Sequence, residues 1–157
     1  MRAHLRLQLT RPDGGVVAVR EAHNSVLRSG ADLLARLFSG QPSGITHMAV
    51  GTSDTPETQD FTTAALTGAT EVALTPDAFQ IDPPDPVKRV VRVRVRGTVP
   101  AASAVGTLRE AALVSHAGDT STLYNRVVFP PIEKTGDHEL TLFWEVGFPF
   151  GDLQGLL

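Results

Sequence analysis

The sequence predicts an α+β fold that is mostly β: an antiparallel β-sandwich or barrel-like sheet of about eight strands with one main α-helix. Three observations lead there. Short stretches alternate apolar and polar residues, the period of a strand with one buried face. Fourteen Gly and eleven Pro cut the chain at frequent intervals, as turns between short strands require. Only one segment repeats its apolar residues at helical spacing.

The first element runs from Ala3 to Leu9, where Ala3, Leu5, Leu7 and Leu9 alternate with His4, Arg6 and Gln8. RPDGG (Arg11 to Gly15) then turns the chain, Pro fixing φ and Gly free to take positive φ. VVAVR (Val16 to Arg20) returns to complete a hairpin. The expected helix is NSVLRSGADLLARLFSG, Asn24 to Gly40. Asn24 or Ser25 stands where a cap accepts hydrogen bonds from the first amides. Val26, Leu27, Leu33, Leu34, Leu37 and Phe38 form one apolar stripe, and Gly40 marks the stop. Gly30 costs about 1 kcal/mol relative to Ala, so either a neighbour packs closely there or the helix begins after it.

ITHMAVG (Ile45 to Gly51) alternates again and leads into a polar exposed loop at 52–62. Short strands are expected at Thr70 to Leu74 and Ala78 to Ile81, on either side of Pro76. DPPDP (82–86) lacks ladder donors at its prolines and reads as an exposed loop, not a boundary. Residues 1–157 are thus expected to form a single β-rich domain. In KRVVRVRVRGTV (88–99), Val91, Val93 and Val95 fall on one face and Arg92, Arg94 and Arg96 on the other. Leu108 to Ser115, Thr122 to Phe129 and Glu139 to Phe148 supply the last strands, with turns at Gly118-Asp119 and Gly136-Asp137.

Composition narrows the function. A net charge of −3 argues against a general nucleic-acid binder, which needs a basic excess to displace counterions. The absence of cysteine excludes disulfides and thiolate metal sites. No apolar run reaches signal-peptide or membrane-span length, so cytoplasmic synthesis without a signal peptide and no membrane segment are expected.

No catalytic constellation is visible. His4, His23, His47, His116 and His138 never fall at a ligand spacing such as H-x-x-x-H, so neither a metal nor a cofactor is expected. GTSDT (Gly51 to Thr55) lacks the Lys of a phosphate loop. Glu110 and Glu145 lie inside expected strands, where either can pair with an arginine such as Arg126 as a structural ion pair.

Charge is unevenly placed. Between Leu37 and Val87 there is no Lys or Arg, while Asp54, Glu57, Asp60, Glu71, Asp77, Asp82 and Asp85 give a block of −7. From Lys88 to Arg109 the basic residues Lys88, Arg89, Arg92, Arg94, Arg96 and Arg109 stand without an acid. Either these blocks neutralise each other within one subunit or face solvent, or they meet across subunits. In the second case Arg89, Arg92, Arg94 and Arg96 face Asp54, Glu57, Asp60, Asp82 and Asp85 of a neighbour, and a head-to-tail contact of that kind can close a ring. The C-terminal FPFGDLQGLL offers Phe148, Phe150, Leu153, Leu156 and Leu157, either to its own core or, as a docking tail at 149–157, to a neighbour.

Taken in order, three stretches carry a resemblance: NSVLRSGADLLARLFSG, ITHMAVGTSDTP, and TLREAALVSHAGDTSTLYNRVVFPPIEKTGDHELTLFWEVGF. They are similar to phage tail-associated proteins, a family also found in phage-derived contractile injection particles. Its landmarks fall on Asn24, Gly40, Val50 to Thr52 with Gly51 at the centre, and Glu110 to Leu113. They continue through Asn125 to Lys134, which includes Arg126, and Leu142 to Phe148, which includes Trp144. Ala112 departs from the pattern, standing where that family has Gly. The resemblance implies a non-enzymatic structural subunit of a tail, baseplate, fibre attachment or tail-end cap. Its implied partners are copies of itself, as a ring or trimer, and tail, tube, sheath or baseplate proteins, within a virion tail or injection particle. The contrasting expectation is a free-standing ligand- or carbohydrate-binding β-sandwich module, against which one Trp and one Tyr offer little for stacking on sugars.

Overall fold

The computed structural model describes residues 2–152. In chain order its elements are β1 (Arg2–Thr10), β2 (Val16–His23), β3 (Ser25–Val26), α1 (Arg28–Phe38), β4 (His47–Gly51), β5 (Thr70–Ala73) and β6 (Phe79–Ile81). There follow β7 (Val90–Val99), β8 (Gly106–Ala117), β9 (Thr120–Leu123), β10 (Asn125–Lys134) and β11 (Glu139–Pro149). The strands form two antiparallel sheets that do not close into a barrel: β2-β1-β11-β7-β6, and β3-β10-β8-β4-β5 with β9 paired to β8. The mostly β sandwich with one helix is therefore what folds, with more strands than the alternation resolves. Ser25–Val26 separates as a strand from the expected helix, and Thr122 to Phe129 divides at Tyr124 into β9 and β10.

Alternation sets the core. Leu5, Leu7 and Leu9 of β1 and Leu140, Leu142, Trp144 and Val146 of β11 point inward from the first sheet. Met48 and Val50 of β4, Leu113 of β8, and Val127, Phe129 and Ile132 of β10 meet them from the second. Because both sheets feed this one cluster, neither half of the chain buries its apolar face alone. A smaller cluster of Leu27, Ala49, Leu66, Ala112, Val114 and Leu123 covers the opposite face of the second sheet. β8 is accordingly buried without interruption from Glu110 to Ser115. Ala112 is fully buried in that second layer.

The helix differs from expectation at its start. It begins at Arg28, and its N-cap is Leu27, with no side-chain cap. Asn24 instead holds strand β1: its Oδ1 accepts the Ala3 N–H at 2.8 Å, and its own N–H donates to the Ala3 carbonyl. The first turn is fixed from outside. Leu27 N–H donates to the Tyr124 carbonyl, Arg28 N–H to the Phe61 carbonyl, and Ser29 Oγ to the Leu123 carbonyl. Gly30 lies under the same backbone, where a Cβ would come 1.9 Å from the Tyr124 carbonyl oxygen. Close approach, not a late start, is why glycine stands there. Gly40 ends the helix as expected, at φ +90°.

Gly30→Ala should therefore destabilise the fold by about 1–3 kcal/mol, read as a lower urea midpoint. Gly44→Ala, where a Cβ meets nothing within 4 Å, should leave the midpoint nearly unchanged.

Candidate functional site

Strand register gathers the polar residues of the first sheet on its outer face. One row across the strands holds His23, His4, Glu145, Arg94 and Gln80, and the next holds Glu21, Arg6, Phe143 and Arg96. Within this face Phe143 carries two cations, the guanidinium carbons of Arg6 and Arg96 lying 5.8 and 5.4 Å from its ring centre. The groove around them encloses about 410 Å³.

The arginines of β7 do not act as one block. Arg92 Nε lies 3.0 Å from Glu145 Oε1, and its Nη1 lies 3.6 Å from Asp85 Oδ2. Arg94 Nε donates to Asp82 Oδ2 at 2.8 Å. Asp82 and Asp85 thus fold back onto the strand that follows them, so part of the charge contrast is met inside the subunit. Among the described residues, Arg6 and Arg96 form no ion pair. Arg89 serves the backbone, in the left-handed region at φ 53°, with its carbonyl accepting the Phe150 N–H. Of the acidic partners expected at the surface, Asp54 and Asp60 are exposed. Glu57 is not available there: its side chain is 8% exposed and paired with Arg126.

That pair belongs to a buried charge cluster beneath the 52–67 loop. Arg126 Nε donates to Glu110 Oε1 at 2.8 Å, and Nη1 donates to Glu57 Oε1 at 3.1 Å and the Thr55 carbonyl at 2.7 Å. Glu110 Oε2 accepts the amide N–H groups of Ser53 and Thr67 at 2.9 and 3.0 Å. The Gly51-to-Thr55 stretch therefore does hold an anion, but an internal carboxylate. Gly51 is needed because a Cβ would lie 2.6 Å from Glu110 Oε2. Glu110 and Arg126 form the expected structural ion pair, while Glu145 stays near the surface with Arg92. Trp144 lies in the main core, 1% exposed.

At the other end of the sandwich an apolar cavity of about 120 Å³ opens between α1 and the sheets. Leu34, Leu37, Phe79, Val93, Tyr124 and Phe148 are among its walls. The Tyr124 hydroxyl is buried without a hydrogen-bond partner, and burial pushes its pKa up. Beside the mouth the apolar stripe of the helix runs out uncovered, Leu37 being 50% and Phe38 95% exposed. Sequence periodicity had both covered. Phe148 thus packs at the cavity, and Phe150 is 39% exposed. Leu153, Leu156 and Leu157 lie outside the described residues.

Sequence spacing also missed the histidine pairs. His4 faces His23, and His47 faces His116, because strands distant in sequence run side by side. Ligand-spacing patterns read along one element cannot detect such pairs.

Two outcomes follow. Arg126→Met should cost about 3–5 kcal/mol, since it leaves the Glu110 and Glu57 carboxylates buried without their cation, and should open the 52–67 loop to limited proteolysis, whereas Glu110→Gln, which leaves Arg126 paired with Glu57, should cost less. The Asp85 carboxyl is held below the usual range, first by the Lys88 amide, then by the Val87 amide and the Arg92 charge. A lowered folded-state pKa means that its stabilisation is present above the ordinary carboxylate range and is lost as pH falls through the lowered value. Amide exchange at Val87 and Lys88 should accelerate there, and Asp85→Asn should remove that pH dependence.

The chain matches no protein-family model, no curated protein and no solved structure.

Proposed function

We propose that this chain is a non-enzymatic structural subunit of a phage tail or phage tail-like contractile injection particle, acting through subunit contacts. The observation that carries the proposal is the uncovered end of α1, where Phe38 is 95% exposed beside an open apolar cavity. Apolar surface of that kind, bordered by polar residues, is typical of protein contact sites. Sheet edges add to it: Val16, Val17 and Val19 on β2 and Ile81 on β6 are exposed along strands that, among the described residues, have no further hydrogen-bonded strand on their outer side.

The landmarks of the family resemblance support the reading in a second way. Asn24, Gly51, Glu110, Asn125 and Arg126 are engaged in holding backbone or buried charge. Residues kept for such work specify a rigid shape, which a symmetric assembly needs at every copy. Among the described residues, Arg6 and Arg96 are first-sheet cations without an ion pair, open to an acidic neighbour, with Asp54 and Asp60 as exposed acids on the other sheet's loop. Sugar binding gains little from the groove, because its Phe143 ring is already occupied by two guanidinium groups.

Sedimentation at rising concentration, alone and with tail, tube or baseplate proteins, should show a concentration-dependent oligomer or co-assembly. Leu37→Asp with Phe38→Asp should abolish it while leaving the circular dichroism and melting curve close to those of the parent protein. A parent chain that stays monomeric and joins no particle would overturn the proposal.

A further inference from the structure

We propose that His47, Glu71 and His116 form a binding site for a divalent transition-metal ion of the zinc class. The three residues come from β4, β5 and β8, adjacent strands of the second sheet. Register places them on one face: His47 is opposite Val114, Glu71 is opposite Ala49, and His116 lies two residues beyond Val114. One ligand atom from each lies within 4.8 Å of the others. Among the described residues this is the one such group of three. The His47 and His116 rings meet at 4.9 Å, edge to face, and His116 Nδ1 is 3.9 Å from Glu71 Oε2.

Ligand chemistry selects the ion. Two imidazole nitrogens and one carboxylate oxygen make a borderline donor set that suits zinc, cobalt or nickel better than calcium or magnesium, which prefer oxygen alone. Zinc bonds of about 2.0–2.2 Å place tetrahedral ligand atoms about 3.3–3.6 Å apart. Side-chain rotation covers that difference, since the His116 and Glu71 side chains are 32% and 30% exposed. Three protein ligands leave the fourth position to water.

A second observation points the same way. The Thr46 hydroxyl lies 2.8 Å from His47 Nδ1 and also accepts the His116 backbone N–H at 2.8 Å. With Nδ1–H donating to that oxygen, the Nε2 lone pair of His47 is directed to the ion, the usual outer support of a metal-bound imidazole. The ion would fasten the four-residue edge strand β5, which among the described residues pairs only with β4, to the longer β8. This site is independent of the assembly reading.

Titration of the full chain with zinc chloride, followed by calorimetry, should show one saturable site per chain and a raised melting temperature. Cobalt(II) at the same site should give the visible absorption of a four-coordinate ion. His47→Ala and His116→Ala should each weaken zinc binding by more than about 100-fold, and Thr46→Val by about tenfold. His4→Ala with His23→Ala, which removes the other facing pair, should leave binding unchanged. Glu71→Gln, an isosteric change on an exposed strand, should fold normally yet weaken binding, so that a ligand role is separated from a folding defect. No saturable binding below millimolar zinc, or equal binding after loss of both His47 and His116, would overturn the proposal.

Discussion

The contact between Arg126 and Glu110 governs how the second sheet is built. Both side chains lie on the face turned away from the main core, where a charge can be buried only if something polar closes over it. The 52–67 loop does this with two amides on Glu110, two carbonyls on Arg126 and the Glu57 carboxylate. The loop in turn brings Leu66 over Ala49 and Ala112, and Phe61 over the start of the helix. A long polar segment thereby becomes a lid with fixed geometry. The ion pair adds little stability relative to an apolar pair of the same size, but it specifies one placement of the loop, because any other leaves charge unmatched.

The same economy recurs where strands end. Asn24 and Asn125 each lend a side-chain oxygen to a backbone amide that lacks a strand partner, at Ala3 and Leu113. Lys134 is 1% exposed, and its ammonium donates to the Pro100 and Ala101 carbonyls at 2.8 Å each. Burial lowers its pKa, with the charge of Glu139 acting in the opposite direction. On the other edge the Arg20 guanidinium donates to the Pro131 carbonyl, tying β2 of one sheet to β10 of the other across the open side of the sandwich. Pro130 and Pro131 fall where the β10–β8 register slips, a place where missing amide donors cost nothing.

Much of this architecture was legible in the sequence, and the reason is periodicity. Leu5, Leu7 and Leu9 announce a face, as do Val91, Val93 and Val95, because a one-residue slip would expose them all. The pairing of Glu110 with Arg126 was within reach, since a charge in mid-strand needs a partner. What was not legible depended on contacts between distant segments. Asn24 fits a cap by its position, yet the Ala3 amide claims it. Glu57 belongs to an acidic run, yet Arg126 draws it inward. Asp82 and Asp85 meet Arg94 and Arg92 because DPPDP folds back, a geometry that no local pattern encodes. The Leu37–Phe38 end of the stripe failed because helical spacing predicts which side faces inward, not how far the covering sheet extends.

The helix is fastened at its base and bare at its tip. Leu27, Arg28, Ser29 and Gly30 are all gripped by the Tyr124 and Phe61 regions, whereas Phe38 stands eight residues further along. At 1.5 Å per residue the phenyl ring stands about 12 Å along the axis from the Tyr124 carbonyl. Between the two, Leu33 sits in the main core and its carbonyl accepts the Ser43 hydroxyl, so the most exposed aromatic of the molecule is carried on a rod anchored at its foot and again at its middle.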